Sequence, residues 1–168
     1  MPNYERIADP VDRAFVLGLI RQESEFNLTA TSGVGARGLM QIMPGTAKLI
    51  AKAHGQSYDA SRLGRDAGYN LTLGTAHLSD LLKQYNGSYI LTLVAYNAGP
   101  GRVTDWVERY GDPRTGEIEA VDWVEAIPFT ETRGYVKKVM ANVQVYRSRL
   151  DGPARASSPT SIAAGRRG

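Results

Sequence analysis

The sequence predicts a mainly α-helical fold with little or no β structure, and two observations support this prediction. Apolar residues recur at helical spacing in most stretches between residues 10 and 150. Proline and glycine stand where these stretches begin and end, as they do at helix termini. With 42% hydrophobic and 22% charged residues, the 168-residue chain can bury about two thirds of its unfolded surface in one domain.

The first predicted helix begins at Asp9, whose side chain can cap it ahead of Pro10. Asp12 adds negative charge close to the positive end of the helix dipole. The apolar positions that follow fall on one stripe of this helix: Val16, Leu19, Ile20 and Phe26.

Glu23 lies in the middle of that apolar stripe, whereas Glu25 points the opposite way, toward solvent. Burial penalises an ionised carboxyl, so the pKa of Glu23 is expected to be raised. A carboxylic acid that stays protonated near neutral pH is the general acid that glycosidic bond cleavage needs. A glutamate on an apolar stripe can also pair with a buried arginine, and periodicity alone does not decide between the two.

The remaining elements are predicted from N-cap residues and from the positions of glycine and proline. A glycine-rich loop is predicted at 27–38, where Gly33, Gly35 and Gly38 would let the backbone pass close to a bulky neighbour. Thr130 is expected to be the N-cap of the last helix. Further helices are predicted at 45–54, 66–85, 88–98 and 130–150, with a short one that ends at 110. The segment 55–65 is predicted to be a polar connection, and 111–127 a loop that contains a hairpin turn in TGEIEA.

Four sequence motifs carry a family resemblance. They are RQES at 21–24, GARGLMQIMPGTA at 35–47, AYNAGPGRV at 95–103 and IPFTETRGYV at 127–136. In this order they resemble the motifs of the soluble lytic transglycosylases, the goose-type-lysozyme-like enzymes of glycoside hydrolase family 23 that cleave peptidoglycan. The resemblance implies a lysozyme-like catalytic domain at 10–150, after a lead-in at 1–9. The Ser, Ala, Gly and Pro-rich segment at 151–168 is expected to be a disordered tail.

The resemblance also implies roles for individual residues. Glu23 matches the catalytic acid of the family, and the residues that match its substrate-binding positions are Ser32, Gln41, Met43, Tyr96 and Glu131. Tyr96 is expected to end a buried helix with its phenol free to reach the acid or an N-acetyl oxygen.

Each of these binding residues also has a purely structural interpretation. Ser32 could be a turn residue, and Gln41 could satisfy buried backbone groups. Met43 could belong to the core, and Tyr96 could be a core tyrosine whose hydroxyl is bonded elsewhere. Glu131, in the first turn of its helix, could serve only as a partner of the helix dipole.

The number of carboxylates bears on the mechanism. Sugar hydrolases usually need two, and only Glu23 sits in a strong motif. The resemblance implies that the substrate N-acetyl group fills the second role and that the product is a 1,6-anhydro end formed without water. Two alternatives remain: a goose-lysozyme-type hydrolase with Asp59 or Asp66 positioning a water, or a catalytically silent wall-binding or assembly module.

Composition restricts the partners. A net charge of +3 and a pI near 9.2 suit an acidic polymer, and the resemblance makes peptidoglycan glycan strands the expected partner of a monomer. The basic residues are scattered rather than gathered in a stripe, so nucleic acid is not expected. His54 and His77 stand alone, which implies neither a metal site nor a catalytic triad, and no cofactor is expected.

The sequence contains neither a stretch of apolar residues long enough to span a membrane nor a signal-peptide pattern in residues 1–9. Because peptidoglycan lies outside the cytoplasm, the resemblance nonetheless implies a periplasmic or otherwise extracytoplasmic location. The absence of cysteine says nothing decisive about compartment.

Overall fold

The computed structural model describes residues 1–152 and confirms the mainly α-helical prediction for them. In that range β structure is limited to two isolated bridges, which join Thr31 to Arg37 and Arg37 to Ile42. None of the helices in this part of the chain is both long enough and apolar enough to cross a membrane. Most of the tail predicted at 151–168 lies outside the described residues. The helices are α1 (Arg13–Ser24), α2 (Pro44–Ala53), α3 (Ala60–Leu63), α4 (Ala67–Gln84), α5 (Tyr89–Ala98), α6 (Pro100–Tyr110), α7 (Ala120–Ala126) and α8 (Thr130–Asp151).

Helix α1 begins later and ends earlier than predicted. Its N-cap is Asp12, whose Oδ1 accepts a 2.9 Å hydrogen bond from the N–H of Ala14. Asp9 instead pairs with Lys83 at 3.0 Å, so the predicted start was wrong. At the other end Glu25 adopts a left-handed conformation with φ of 51°, and the helix stops. Phe26 therefore leaves the apolar stripe and is 39% exposed, contrary to prediction.

Helices α1 and α8 pack closely and antiparallel. Gly18 permits the approach, because a Cβ there would lie 2.9 Å from Cγ2 of Val143. Asn142 donates a 3.3 Å hydrogen bond to the Gly18 carbonyl, and Arg147 pairs with Asp12 at 2.7 Å. With the start of α1 against the end of α8, the end of α1 faces the start of α8. This pairing brings the Glu23 end of α1 to the first turns of α8.

Helices α4 and α5 form the centre of the core, and the prediction that the helix ending near Tyr96 is buried is confirmed. Asp66 caps α4 by accepting from the N–H of Tyr69 at 3.0 Å, and Ser88 caps α5 by accepting from the N–H of Leu91 at 3.3 Å. The apolar residues of both helices are buried, and those with the least exposure are Leu71, Leu73, Leu78, Leu91, Leu93 and Val94.

Three predicted details were wrong. The connection at 55–65 contains the short helix α3, because the Asp59 carboxylate accepts from the N–H groups at its start. The segment 111–127 contains α7, which is anchored by the fully buried Trp123. The turn that precedes α7 is closed by a 3.0 Å hydrogen bond from the Asp112 N–H to the Glu117 carboxylate, and not by strand pairing. Thr130 is the first helical residue of α8, and Phe129 occupies the N-cap.

Candidate active site

Glu23 lies in the last turn of α1 with its side chain half-buried. The phenol of Tyr135 donates a 2.6 Å hydrogen bond to Oε1 of Glu23. Burial raises the pKa of Glu23 to about 7, while the bond from Tyr135 favours the ionised form and works against that rise. The raised pKa predicted from the apolar stripe is therefore confirmed.

The chain around Glu23 is held by its neighbour Ser24. The Ser24 hydroxyl is buried between the carbonyl oxygens of Leu39, at 2.8 Å, and Ile20, at 3.3 Å. These contacts tie the end of α1 to the loop that follows it in the sequence. The chain turns away immediately afterwards at Glu25, so Glu23 and Ser24 are the last side chains of α1 that point inward.

Tyr135 is the partner that sequence reasoning missed. It lies on the buried face of α8 with Val136 and Val139 and is 6% exposed. A tyrosine at such a position needs a partner for its hydroxyl, and this was the available signal. The sequence did not identify the partner, because Glu23 lies 112 residues away in the chain.

Tyr96, near the end of α5, differs from its prediction. Its phenol is not free, since it donates a 2.7 Å hydrogen bond to the carbonyl oxygen of Met40. Burial and the charge of the nearby Glu23 hold the pKa of Tyr96 well above its usual value. Tyr96 is thus a neutral hydroxyl beside the carboxyl, and its proton is directed to the loop.

The loop at 37–42 is held in place by the side chain of Asn70 on α4. The Asn70 side chain accepts from the N–H of Met40 at 2.9 Å and donates to the carbonyls of Arg37 and Leu63, both at 2.9 Å. Gly38 makes this possible with φ of 77°, because a Cβ there would overlap the Asn70 amide and lie 2.8 Å from the Leu63 carbonyl. The predicted close backbone approach is confirmed at this glycine.

Gly33 and Gly35 were expected to make the same kind of approach, and for them the prediction was wrong. A Cβ added at either position would meet no heavy atom within 4 Å. The close approach in the loop is needed only where it crosses Asn70.

Gln41 and Ser32 have local structural roles in this loop. Gln41 has φ of 48°, and its amide nitrogen donates to the carbonyls of Ala30, at 3.0 Å, and Gly38, at 2.9 Å. The Ser32 hydroxyl accepts from the N–H of Ala36 at 3.0 Å, as in a turn. Both structural interpretations are therefore met, and substrate binding by these two residues stays a prediction.

Met43 and Glu131 lie at two helix starts. Met43 precedes α2 as its N-cap and is 41% exposed, so it is not a core residue. Glu131 is exposed in the first turn of α8. The next residue, Thr132, donates a 2.8 Å hydrogen bond to Asn97 and ties α8 to the end of α5. Within residues 1–152 no hydrogen bond joins Ser32, Met43 or Glu131 to Glu23.

Other candidate groups are engaged elsewhere. Asp59 and Asp66 cap α3 and α4, and Asp66 also pairs with Arg62 at 2.7 Å. His54 contacts the carbonyl of Ile7 at 3.1 Å and Asp80 at 2.8 Å, which ties the lead-in to α4. In the described part of the chain, no three His, Cys, Asp or Glu side chains are gathered as metal ligands would be.

The arrangement can deliver and receive one proton. Glu23 has a pKa close to neutral pH, so it is populated in both protonation states there. Tyr135 holds one carboxyl oxygen in place and lowers the cost of ionisation. A group of this kind can act as an acid in one step and as a base in the next.

Comparison with known proteins gives consistent matches. The profile of the transglycosylase SLT domain matches residues 3–118, and that of the soluble lytic transglycosylase helical domain matches residues 126–154. The chain is 42% identical over 138 residues to the soluble lytic murein transglycosylase of Escherichia coli K12, a match that covers 82% of this chain and 21% of that protein. The chain therefore spans about a fifth of the length of this relative.

Two solved structures are similar as well. The 70 kDa soluble lytic transglycosylase of Escherichia coli superposes with a TM-score of 0.77 at 41% identity, covering 85% of this chain and 22% of that one. The lytic transglycosylase Slt of Pseudomonas aeruginosa superposes with a TM-score of 0.75 at 39% identity, covering 86% of this chain and 23% of that one. The latter structure is of an inactive mutant in which glutamine replaces a glutamate.

Proposed function

The chain belongs to the transglycosylase SLT domain family, and we propose that it is a lytic transglycosylase of peptidoglycan. The bond cleaved is the β-1,4 link from N-acetylmuramic acid to N-acetylglucosamine, and no water is consumed. The observation that carries the proposal is the half-buried Glu23, with its pKa near 7 and its bond from Tyr135. The relatives named as murein transglycosylases support the choice of substrate.

In the first step Glu23 is the acid. Its carboxyl proton passes to the glycosidic oxygen, the bond from that oxygen to the anomeric carbon of the muramic residue breaks, and the N-acetylglucosamine end leaves as an alcohol. The raised pKa keeps a useful fraction of Glu23 protonated near neutral pH. The inactive Pseudomonas mutant, which has glutamine in place of a glutamate, is in keeping with a carboxyl in this role.

In the second step the ionised Glu23 is the base. It takes the proton of the muramic 6-hydroxyl, whose oxygen then bonds to the anomeric carbon and closes a 1,6-anhydro ring. The phenol of Tyr135 donates to the carboxylate during this stage and stabilises it. The carboxyl ends the cycle protonated, as it began.

The positive charge at the anomeric carbon needs a partner between the two steps. Asp59 and Asp66, the carboxylates considered for a hydrolase, are engaged as helix caps. We therefore assign the role to the N-acetyl oxygen of the substrate. Ser32, Gln41, Met43, Tyr96 and Glu131 are proposed to contact the sugars around this centre.

The catalytic unit in this proposal is the domain at 10–150, acting as a monomer outside the cytoplasm. A single chain supplies Glu23, Tyr96 and Tyr135, and the packing of α8 on α1 makes α8 part of the same unit. The extracytoplasmic location follows from where peptidoglycan is found.

Mass spectrometry of the fragments released from purified peptidoglycan tests the proposal, with and without borohydride reduction. Fragments one water lighter than hydrolysis products, and resistant to reduction, are expected. Full-mass fragments that accept hydride would show a hydrolase instead. Glu23→Gln keeps the side-chain shape and removes the acid, so it should release no fragments, whereas Glu25→Gln on the exposed side should release them as the wild type does.

A further inference from the structure

A polar groove of about 500 Å³ lies between the glycine-rich loop and α3. Its walls carry hydroxyl groups and two guanidinium groups, with Thr29, Thr31 and Arg37 on the loop side and Ser61 and Arg65 on the α3 side. The side chain of Arg37 lies along Gly64, where a Cβ would approach its Cδ at 3.6 Å. The two guanidinium groups supply hydrogen-bond donors and positive charge to the groove. The hydroxyl protons are donated within the chain, so the hydroxyl oxygens are left as acceptors.

The two arginines have no anionic partner within residues 1–152. The salt bridges found in that range include neither Arg37 nor Arg65. The nearby carboxylates are already engaged, since Asp59 accepts from Ser61 at 2.6 Å and Asp66 pairs with Arg62. The groove thus keeps two positive charges that its own neighbourhood does not neutralise.

The groove is rigidly joined to the candidate active site. Arg37 exchanges backbone hydrogen bonds with Ile42 at 3.0 and 3.1 Å, and Asn70 holds its carbonyl. Between these anchors lies Met40, whose carbonyl receives the phenol of Tyr96 beside Glu23. Arg37 is three residues from Met40, and since a fully extended peptide of three or four residues spans on the order of 10 Å, their backbones lie no further apart than that.

We propose that this groove binds a carboxylate of the peptide stem carried by the glycan strand, with Arg37 and Arg65 as its cationic partners. The proposal rests on the assignment of peptidoglycan as substrate. The planar guanidinium forks match a carboxylate, and the threonine and serine hydroxyl oxygens can accept from the N–H groups of a peptide. A sugar hydroxyl would make no use of the two charges, whereas a stem with free acid groups would.

Binding of two soluble probes tests the proposal. One probe is the N-acetylglucosaminyl-N-acetylmuramyl tripeptide with its free carboxylates, and the other is the same molecule with those groups converted to carboxamides. Affinities are measured by calorimetry in the Glu23→Gln protein, so that neither probe is turned over. We expect the free acid to bind at least fivefold more tightly than the amide at low salt, with the difference shrinking as salt is added.

The variant Arg37→Ala/Arg65→Ala should bind the two probes within twofold of each other. The matched control Lys52→Ala/Lys138→Ala removes two exposed charges elsewhere and should keep the preference. Arg37→Lys/Arg65→Lys keeps both positive charges and should retain part of the preference for the free acid. That result would show that the loss in the alanine variant is not a folding defect. Equal affinities in the starting protein, or a preference that survives in the alanine variant, would overturn the proposal.

Failure of the stem site is distinguishable from failure of the proposed function. A wild-type protein that releases anhydro fragments from peptidoglycan but does not distinguish the two probes refutes only the stem site. A protein that prefers the free acid but releases no anhydro fragments refutes only the reaction.

Discussion

Tyr135 and Glu23 are joined by a 2.6 Å hydrogen bond across the contact of α8 with α1, and the donor is the phenol. The bond stabilises the ionised carboxyl, whereas burial stabilises the neutral one, and burial is the larger effect. The pKa of about 7 is the balance of the two. Removing either contribution should move the pH dependence of the reaction in a known direction.

Tyr135→Phe should raise the pKa of Glu23, because it removes the group that favours ionisation. The alkaline limb of the pH profile of kcat/KM should shift to higher pH, because Glu23 stays protonated up to a higher pH. The maximal rate should fall about tenfold to a hundredfold, as the base loses a charge-assisted hydrogen bond. Rates of turnover of soluble glycan strands from pH 4 to 10 measure both effects, and Tyr110→Phe serves as the control. A limb that stays in place or moves down contradicts the role given to Tyr135.

Glu23→Gln should stabilise the folded protein above neutral pH. A carboxyl whose pKa rises from 4.5 to about 7 on folding binds its proton more tightly in the folded state. The contribution of Glu23 to the free energy of unfolding therefore falls by about 3 kcal/mol as the pH rises from about 4.5 to 7, and glutamine has no such dependence. Urea denaturation at pH 4, 6 and 8 should show the two proteins diverging across this window.

Glu25→Gln is the matched control for that experiment, because Glu25 is exposed one residue beyond the end of α1. Its difference from the wild type should stay nearly constant over the same pH range. A constant difference for Glu23→Gln as well would mean that Glu23 is not desolvated in the folded protein.

Gly38→Ala should destabilise the protein by about 3 kcal/mol. The residue has φ of 77°, and its Cβ would overlap the Asn70 amide, which holds Met40, Arg37 and Leu63. Gly33→Ala, in open space on the same loop, should change stability by less than about 0.5 kcal/mol. Thermal unfolding of the two variants compares them directly. Equal losses would argue against the crossing of the loop over Asn70 as the reason for glycine.

The sequence could predict what depends on local periodicity. It identified the apolar face of α1 with Glu23 on it, the buried α5, and the extent of α4, because each depends on spacing within one segment. It placed the start of α1 wrongly, because Asp9 and Asp12 are equally good caps and only the pairing of Asp9 with Lys83 decides between them.

The contacts that complete the site come from different parts of the chain, and local patterns do not contain them. The bond from Tyr135 to Glu23 requires α8 to pack against α1, and this depends on Gly18 and Val143. The phenol of Tyr96 was predicted to be free to reach the acid, whereas it donates to the carbonyl of Met40. The carbonyl of Met40 faces it only because Asn70 fixes the loop.

Tyr96→Phe should separate a loop-holding role from a direct effect on the acid. The variant removes the bond to the Met40 carbonyl and leaves that oxygen without its donor, so stability should fall by about 1 to 2 kcal/mol and kcat/KM should decrease. The alkaline limb should remain near its wild-type position, because the Tyr96 phenol makes no hydrogen bond to Glu23. The pH profiles of Tyr96→Phe and Tyr135→Phe, measured side by side on the same strands, decide the matter. If Tyr96→Phe also moves the limb upward, the phenol donates to Glu23 during turnover, and the bond to Met40 belongs to the free protein alone.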